Sequence, residues 1–341
     1  MEKLNFQWHL TNRCNLRCIH CYQEEYSDNN PTIPLLNIAR RLLFDLEKRA
    51  VHTHINLTGG EPLLLGEDLT ALISLLDTHP LVEELSLITN GTLLDQTWID
   101  RLSQFPKLRT IKISLEGGTE KTNDFIRGRG VYRQAMCALE LLEKDGTFQS
   151  VIMATLHRGN MEELQDMLFF LRSGLADGLI IERFIPEGRG RNMVEKTLHS
   201  KDWWNIIRMV ARWAGMANNV SALIPYRAYW VKSRPYPDVL GAGCDLGASF
   251  CLMCDGTVYP CRRFPLELGN IFTDGLWTVC EGAEILRKIH TRSNLAGKCG
   301  SCTFTDCFGC RALGYAFYRD PFAEDFQCPL THEELLSNME L

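Results

Sequence analysis

Three cysteines lie close together near the start of the chain, in the segment Cys14-Asn-Leu-Arg-Cys18-Ile-His-Cys21. Three thiolates can bind three irons of a cubane 4Fe–4S cluster and leave the fourth iron without a protein ligand. Electron-carrying clusters of the ferredoxin type use four thiolates, because electron transfer needs no open position. We therefore predict a cluster whose open iron can bind and reduce a small molecule. The alternatives are a zinc knuckle or three unrelated buried thiols.

A second group of ten cysteines lies between residues 244 and 328, and the whole chain of 341 residues holds 14. Four of the ten follow a dense series, Cys299-x2-Cys302-x4-Cys307-x2-Cys310, which is more specific than one Cys-x2-Cys pair. Ten thiols exceed what two zinc sites need. The sequence thus predicts two separate metal-binding regions. Because exposed iron–sulfur clusters are oxygen-labile, it also predicts an anaerobic or microaerobic working environment.

The composition excludes several classes of protein. The net charge of −6 and the pI near 5.9 argue against a nucleic-acid partner, which favours a basic surface. The N-terminus lacks the apolar core of a signal peptide, and no apolar run approaches the roughly 20 residues that cross a bilayer. We expect a cytoplasmic protein without a membrane partner, where clustered thiols bind metal more often than they form disulfides.

Short apolar segments alternate with segments of helical period between residues 4 and 186. Strands are predicted at 4–11, 54–58, 84–89, 108–115, 150–156 and 179–184. Helices are predicted at 35–50, 68–77, 94–104, 132–144 and 161–171. Strands that alternate with helices form a parallel sheet. Six units are too few to close an eight-stranded barrel, so we predict an α/β fold with an open (β/α)6 barrel.

Distinctive residues follow several of these strands, at the edge where barrel enzymes place their chemistry. Gly59-Gly60 allows close approach of the backbone to a ligand, although such a pair is often only a turn. Ser114 and Arg127 can bind polar groups of a ligand, the alternatives being helix capping and a solvated arginine. His157 closes the fifth strand and is predicted to be a surface or capping histidine.

The remainder of the chain suggests a division into three parts. A loop is predicted at 187–191. The tryptophans of segment 201–215 are spaced as on one face of a helix, which is typical of core residues, so we assign them no site. Segment 218–239 contains three prolines and predicts a bridge between domains. We therefore expect a barrel at 1–215, a bridge at 216–242 and a cysteine-rich domain at 243–341.

The Cys-x3-Cys-x2-Cys segment resembles the signature of the radical SAM superfamily, and Gly59-Gly60 resembles its motif that holds the methionine amine. The resemblance implies that the open iron chelates S-adenosylmethionine (SAM) and that the reduced cluster cleaves it to a 5′-deoxyadenosyl radical. The implied SAM-binding residues are His20, Gly59, Gly60, Glu61, Asn90, Ser114, Glu116 and Arg127. No residue stands out as a general acid or base.

The region from residue 243 resembles the SPASM domain, a small Cys-rich α+β domain with two auxiliary 4Fe–4S clusters. Cys244 and Gly256-x4-Cys261 match its opening, and the later cysteines follow its order with two gaps each one residue shorter. The resemblance implies a first auxiliary cluster on Cys244, Cys261 and Cys310, completed by Cys251 or Cys254. It implies a second on Cys299, Cys302, Cys307 and Cys328. Cys137, on an apolar helix face, and Cys280 are predicted to be structural thiols.

These resemblances imply an enzyme with three 4Fe–4S clusters that oxidatively modifies a peptide or protein, supplied with electrons by a reductase, flavodoxin or ferredoxin. The chain begins at the first strand, which we expect to leave no room for a leader-peptide-binding domain. The alternative substrate is a tetrapyrrole, since the segment 309–315 resembles enzymes of the haem-type pathways and arginines 183, 189, 191, 262 and 263 can anchor carboxylates. A third possibility, a non-catalytic electron carrier, requires a fourth protein ligand for every cluster.

Overall fold

The computed structural model describes residues 3–27, 33–216, 218–233, 237–242, 246–304 and 306–330. Its strands are β1 Asn5–His9, β2 Thr53–Thr58, β3 Val82–Thr89, β4 Leu108–Ser114, β5 Gln149–Leu156, β6 Gly178–Arg183, β7 Ala228–Lys232, β8 Asp238–Ala242, β9 Ser249–Leu252, β10 Thr257–Tyr259 and β11 Gly269–Asn270. Its helices are α1 Leu35–Glu47, α2 Glu67–Thr78, α3 Gln96–Leu102, α4 Glu120–Arg127, α5 Val131–Asp145, α6 Leu164–Arg172, α7 Ser200–Trp213, α8 Leu276–Gly282, α9 Glu284–His290, α10 Gly297–Gly300 and α11 Arg311–Tyr318.

The strands form one sheet in the order β11-β10-β9-β1-β2-β3-β4-β5-β6-β7-β8. Strands β1 to β6 pair in parallel in chain order, which places all six carboxyl ends at the same edge. Because the order is linear, the sheet does not close on itself within the described residues. The prediction of an α/β fold with a parallel sheet and a cysteine-rich C-terminal region is confirmed.

Apolar periodicity explains the helical layer. In α1 the residues spaced three and four apart, Ile38, Leu42 and Leu46 among them, are fully buried, as the helical period requires. They belong to one core with the strand residues, including Leu85 and Leu87 of β3. In the part of the chain that the structure describes, no helix is long and apolar enough to cross a membrane.

Helix α4 was not predicted. The segment that it occupies follows Gly117-Gly118, and only Asn123, Ile126 and Arg127 of its eight residues are buried, so apolar periodicity gives almost no signal. The helix begins where the side chain of Thr119 accepts a hydrogen bond from the backbone N–H of Thr122, a standard N-terminal cap. Its C-terminal residue, Arg127, is therefore placed by helix geometry and not by an extended loop.

The segment predicted as a bridge between domains contains two strands. Strand β7 pairs antiparallel with β6, and β8 pairs antiparallel with β7, so the chain extends the sheet beyond the sixth parallel strand. In β7 the buried residues Tyr229 and Val231 alternate with less buried ones, the period-2 pattern of a strand. Pro225 and Pro237 lie outside the strands, and Pro235 lies outside the described residues.

The cysteine-rich region joins the opposite side of the sheet. Strand β9 pairs in parallel with β1, and β10 and β11 follow as antiparallel neighbours. The first strand of the barrel is thus central, with β2 on one side and β9 on the other. This pairing brings the cysteines that flank β9 and β10 toward the loop that follows β1.

Candidate active site

A cavity opens at the carboxyl ends of the parallel strands, and its empty space of about 890 Å³ includes open solvent at its mouth. The predicted site residues that line it are Cys14, Cys18, His20, Cys21, Gly59, Gly60, Asn90, Ser114, Glu116 and Arg127. Arg262 and Arg263, from the cysteine-rich region, form part of the opposite wall. One cavity therefore joins segments that the sequence places after four different strands.

The three thiols of the first loop face this cavity together. Burial raises the pKa of Cys18 to about 11 and raises that of Cys14, and the neighbouring thiols add to both shifts. Backbone N–H groups point at two of the sulfurs: Leu16 donates to Cys14 Sγ and Gln23 donates to Cys21 Sγ, each at 3.4 Å. Such donors stabilise thiolates that bind an iron–sulfur cluster. The donor set of three thiols, two of them with backbone N–H partners, fits a 4Fe–4S cluster with one open iron.

Gly59 and Gly60 connect this loop to the second strand. A Cβ atom on Gly60 would lie 2.1 Å from the carbonyl oxygen of Arg13, the residue before Cys14. The backbone is held there by hydrogen bonds from Gly60 N to Thr11 O at 2.6 Å and from Glu61 N to Arg13 O at 2.7 Å. Only glycine permits this approach. The Gly-Gly pair is therefore a packing requirement of the cysteine loop as well as a wall of the cavity.

Glu61 does not line the cavity. One carboxylate oxygen accepts hydrogen bonds from Thr89 Oγ1 at 2.7 Å and from the N–H of Leu63, and the other accepts the N–H of Asn90 at 2.8 Å. The side chain is completely buried. These hydrogen bonds show that Glu61 fixes the loop after β3. Asn90 extends the network by donating to Asn15 Oδ1 at 2.9 Å.

Glu116, Arg127 and His20 form a buried polar cluster beside the thiols. Glu116 Oε1 lies 3.0 Å from Arg127 Nη2 and 3.1 Å from His20 Nε2, and Oε2 accepts the N–H of Thr155 at 2.7 Å. Burial opposes ionisation, but the charges of His20 and Arg127 outweigh it and lower the pKa of Glu116 to about 2. Within the described structure, His20 Nδ1 and Arg127 Nε have no hydrogen-bond partner although both are buried. Both side chains line the cavity: Arg127 Nε can donate to a ligand, and His20 Nδ1 can accept from one while Nε2–H donates to Glu116.

The opposite wall carries an ion-pair cluster. Arg262 Nη2 lies 2.6 Å from Glu182 Oε2 on β6, and Arg263 Nη2 lies 3.3 Å from Glu182 Oε1. The Arg262 guanidinium also lies over the ring of Tyr22, 5.3 Å from its centre. Tyr22 was not identified from the sequence, and Arg262 was considered there only as an anchor for tetrapyrrole carboxylates. Their positions directly after Cys21 and Cys261 were the available signal.

The cysteines predicted for the first auxiliary cluster are only partly described, because Cys244 lies outside the described residues. Cys251, on β9, is opposite Tyr259 of β10, two residues before Cys261. Burial raises the pKa of Cys251, and the nearby Cys261 thiol raises it further. Cys254 lies in the turn before β10, where burial and then Asp255 raise its pKa to about 11. Cys251 is therefore the thiol beside Cys261.

The four cysteines predicted for the second auxiliary cluster line one small cavity, and they are Cys299, Cys302, Cys307 and Cys328. Basic groups surround it: Arg227 donates to Cys307 Sγ, and Arg311 Nη2 donates to Cys299 Sγ at 3.4 Å. Asp325 binds this region to the barrel through a buried ion pair with Arg183 of β6, with N–O distances of 3.0 and 3.2 Å. Four thiols with cationic neighbours fit a cluster of net negative charge.

Two other predicted residues and one predicted loop differ from expectation. Cys137 is exposed, because the buried face of α5 carries Ala135, Ala138 and Leu139 and not this thiol. His157 is buried instead of lying on the surface, but its Nδ1 accepts the backbone N–H of Gly159 at 2.9 Å, as a capping residue does, and burial lowers its pKa to about 4. Segment 187–191 is not an open loop: it begins the 3-10 turns Gly188–Lys196, held against the cysteine loop by Gly190 N donating to Cys21 O at 2.9 Å.

Comparison with known proteins agrees with this geometry. Residues 8–171 match the profile described as the radical SAM superfamily, and residues 244–303 match the SPASM profile, described as an iron–sulfur cluster-binding domain. The chain is a radical SAM enzyme with a C-terminal SPASM domain. SAM and iron–sulfur clusters are accordingly its cofactors.

Two relatives and one solved structure illustrate the range of similar proteins. The AdoMet-dependent heme synthase of Methanosarcina barkeri is 27% identical over 94% of this chain and 95% of its own length. The mycofactocin maturase MftC of Mycobacterium ulcerans is 29% identical over 90% of this chain and 83% of its own length. The structure of anSMEcpe with bound AdoMet and Cp18Cys peptide superposes with a TM-score of 0.73 at 21% identity, over 96% of this chain and 94% of that one, and so shares the fold.

Proposed function

We propose that this radical SAM/SPASM enzyme cleaves SAM in the cavity described above and oxidatively modifies a peptide or protein. Cys14, Cys18 and Cys21 hold the cluster that binds SAM. When bound and reduced, this cluster supplies the electron that converts SAM to methionine and a 5′-deoxyadenosyl radical, which abstracts a hydrogen atom from the substrate. The reductant is a flavodoxin, ferredoxin or reductase.

The residues of the cavity have distinct tasks in this proposal. Gly59 and Gly60 line the cavity with backbone carbonyls, which suit the ammonium group of SAM. Ser114 and Arg127 bind polar groups of SAM, and the orphaned Arg127 Nε supports this role because a buried donor without a partner costs free energy. Glu116 holds Arg127 and His20 in place, while Glu61 acts indirectly by fixing the loop that carries Asn90.

The SPASM domain holds two auxiliary clusters, three 4Fe–4S clusters in all. We assign Cys244, Cys251, Cys261 and Cys310 to the first. The proximity of Cys251 to Cys261 supports Cys251 over Cys254 as its fourth ligand. We assign Cys299, Cys302, Cys307 and Cys328 to the second, supported by their shared cavity. We assign residues 1–215 to the barrel, 216–242 to the bridge and 243–341 to the SPASM domain, and β7 and β8 of the bridge extend the sheet beyond β6.

The observation that favours a peptide over a tetrapyrrole is the pairing of the five arginines that could anchor tetrapyrrole carboxylates. Four of them are bound to carboxylates of the chain itself: Arg183 to Asp325, Arg191 to Glu187, and Arg262 and Arg263 to Glu182. Arg189 donates to the carbonyl of Arg17. At Arg183, Arg262 and Arg263, whose pairs are largely buried, a propionate would have to displace a carboxylate of the chain, which costs several kcal/mol for a desolvated pair. An extended peptide needs no such anchors.

A tetrapyrrole side chain remains the second candidate substrate. The specific observation in its favour is the match to a heme synthase along nearly the full length of both chains. The relative named as a maturase matches a comparable share of this chain at similar identity. Sequence similarity therefore does not separate the two substrates, and the contacts of the arginines decide our preference.

A titration separates the two candidates. The reconstituted enzyme is mixed anaerobically with iron-free and iron-bearing porphyrins while the porphyrin absorbance is recorded, and 5′-deoxyadenosine is measured in parallel. We expect no stoichiometric binding and no porphyrin-dependent product. Micromolar, stoichiometric binding of a porphyrin that stimulates 5′-deoxyadenosine formation would contradict the peptide proposal and favour a tetrapyrrole substrate. The matched control is Glu182→Gln, which releases Arg262 and Arg263 and should increase porphyrin affinity if these arginines are blocked in the native enzyme.

A further inference from the structure

Helix α4 presents an aromatic residue to solvent beside the cysteine loop. Phe125 is 75% exposed, the largest value among the large hydrophobic residues that the structure describes. Lys121 lies one turn earlier on the same side of the helix, since residues four apart are neighbours on a helix surface. Arg129 lies just beyond the end of the helix and is also exposed. We refer to Lys121, Phe125 and Arg129 as the α4 face.

The α4 face carries unpaired positive charge. Neither Lys121 nor Arg129 makes an ion pair or side-chain hydrogen bond within the described part of the chain. The acidic residues of the same helix are already engaged: Glu120 pairs with Arg133 at 3.1 Å, and Asp124 accepts the backbone N–H groups of Gly130 and Tyr132. Two unpaired cations, each four residues from an exposed aromatic residue in the sequence, give this surface a positive charge suited to an acidic partner.

The C-terminal end of α4 contacts the loop of the SAM-binding cluster directly. Ile19 N, within this loop, donates to the carbonyl of Ile126 at 2.9 Å. The next carbonyl, that of Arg127, lies 4.0 Å from Cys18 Sγ. Phe125 therefore directly precedes Ile126, whose carbonyl accepts a hydrogen bond from the loop. It lies two residues before Arg127, whose carbonyl is near the Cys18 thiol. Because electron transfer slows steeply with distance, a protein that docks on this face is placed to reduce the cluster.

We propose that the α4 face is the docking site of a small acidic electron-transfer protein of the flavodoxin or ferredoxin class. The proposal rests on the proposed function, in which Cys14, Cys18 and Cys21 hold a cluster that needs one electron for each SAM cleaved. The donor is oxidised by one electron, and the cluster passes that electron to the sulfonium of SAM, whose C–S bond breaks. Opposite charges steer the encounter, and the ring of Phe125 supplies the buried centre of the contact.

The test compares a protein reductant with a small chemical one. 5′-Deoxyadenosine formation is measured with flavodoxin kept reduced by its NADPH-dependent reductase, and separately with dithionite, which needs no docking surface. In the double variant Lys121→Glu/Arg129→Glu, the KM for flavodoxin should rise on the order of ten-fold and lose most of its dependence on salt. Phe125→Ser should also raise this KM. The rate with dithionite should stay unchanged in both variants.

Phe169→Ser is the matched control, because Phe169 is 63% exposed on α6 and lies beside Arg172 in a groove that no residue of the cysteine loop lines. It should leave both rates unchanged. The docking proposal would be overturned if the KM for flavodoxin were the same in the wild type and the α4 variants, or if Phe169→Ser raised this KM as much as they do. It would also be overturned if the α4 variants lost their rate with dithionite to the same extent. Binding of oxidised flavodoxin, followed by its flavin fluorescence, tests docking even if SAM cleavage fails. Failure of the wild type with dithionite would instead contradict the proposed function.

Discussion

The guanidinium of Arg262 lies 5.3 Å from the centre of the Tyr22 ring. Tyr22 directly follows Cys21, and Arg262 directly follows Cys261, so this cation–π contact joins the two cysteine regions of the chain. Glu182 fixes Arg262 from β6, and Tyr22 is fixed by its hydroxyl, 3.2 Å from His9 Nδ1. Both residues line the cavity. A substrate in this cavity therefore lies beside both regions and, in our proposal, between two clusters.

Gly60→Ala should disrupt the cysteine loop. The added methyl group would meet the carbonyl oxygen of Arg13 at 2.1 Å, and because this oxygen belongs to the backbone, the loop must move. Such overpacking costs about 1–3 kcal/mol, and we expect weaker SAM binding together with loss of iron from the first cluster. Equilibrium dialysis with SAM and an iron assay measure the two effects.

The matched control is Gly282→Ala, at the end of α8, where the nearest atom to an added Cβ is a side-chain carbon at 3.7 Å. This variant should keep its SAM affinity and iron content. If Gly60→Ala behaves like Gly282→Ala, the close packing of the glycine pair on the cysteine loop does not matter for the site.

Ser114→Ala and Arg127→Ala should weaken SAM binding without changing the iron content. Each removes a group that lines the cavity, and a lost hydrogen bond to a charged ligand costs roughly 1.5–3 kcal/mol, or about ten-fold to more than a hundred-fold in affinity. Arg127→Lys should recover part of the loss, because it keeps the charge beside Glu116. Unchanged SAM affinity in both alanine variants would return Ser114 and Arg127 to purely structural roles.

Asp325→Asn should destabilise the junction between the barrel and the SPASM domain. Asp325 is completely buried, and although burial raises its pKa, the guanidinium groups of Arg183 and Arg227 outweigh burial and hold the pKa well below the usual range. Loss of the carboxylate leaves two buried cations without their counter-charge, which costs about 3–5 kcal/mol. The urea midpoint of the reconstituted enzyme, measured anaerobically, should fall accordingly.

Glu281→Gln serves as the comparison, since its pair with Arg49 is exposed and contributes at most about 1 kcal/mol. A urea midpoint for Asp325→Asn as high as that of Glu281→Gln would show that the Arg183–Asp325 pair does not hold the two regions together.

The number of clusters can be counted through iron. Three four-iron clusters require about 12 irons per chain, and replacement of Cys14, Cys18 and Cys21 together by Ala should remove about a third of them. Reductive SAM cleavage should disappear while the two auxiliary clusters remain visible by electron paramagnetic resonance. SAM cleavage by this triple variant would contradict the assignment of the open cluster, and a total of about eight irons in the wild type would reduce the clusters to two.

The parallel strands and most flanking helices could be predicted because the spacing of apolar residues along the chain determines where they form. The thiols, the Gly-Gly pair and Ser114 could be placed because the carboxyl ends of parallel strands meet at one edge. Helix α4 and strand β7 escaped prediction, since the first buries only three residues and the second lies among prolines. The buried hydrogen bonds of Glu61 and the contact between Arg262 and Tyr22 depend on tertiary packing, which a local sequence pattern does not reveal.

Transfer of deuterium from a substrate to 5′-deoxyadenosine tests the central proposal most directly. The reconstituted enzyme is incubated with SAM, dithionite and short peptides encoded next to its gene, synthesised with deuterated side chains, and in parallel with deuterated porphyrins. We predict deuterium in the 5′-deoxyadenosine formed with a peptide and a peptide product that has lost two hydrogens. Deuterium transfer from the porphyrin alone would contradict a peptide substrate and identify the enzyme as one that modifies tetrapyrroles.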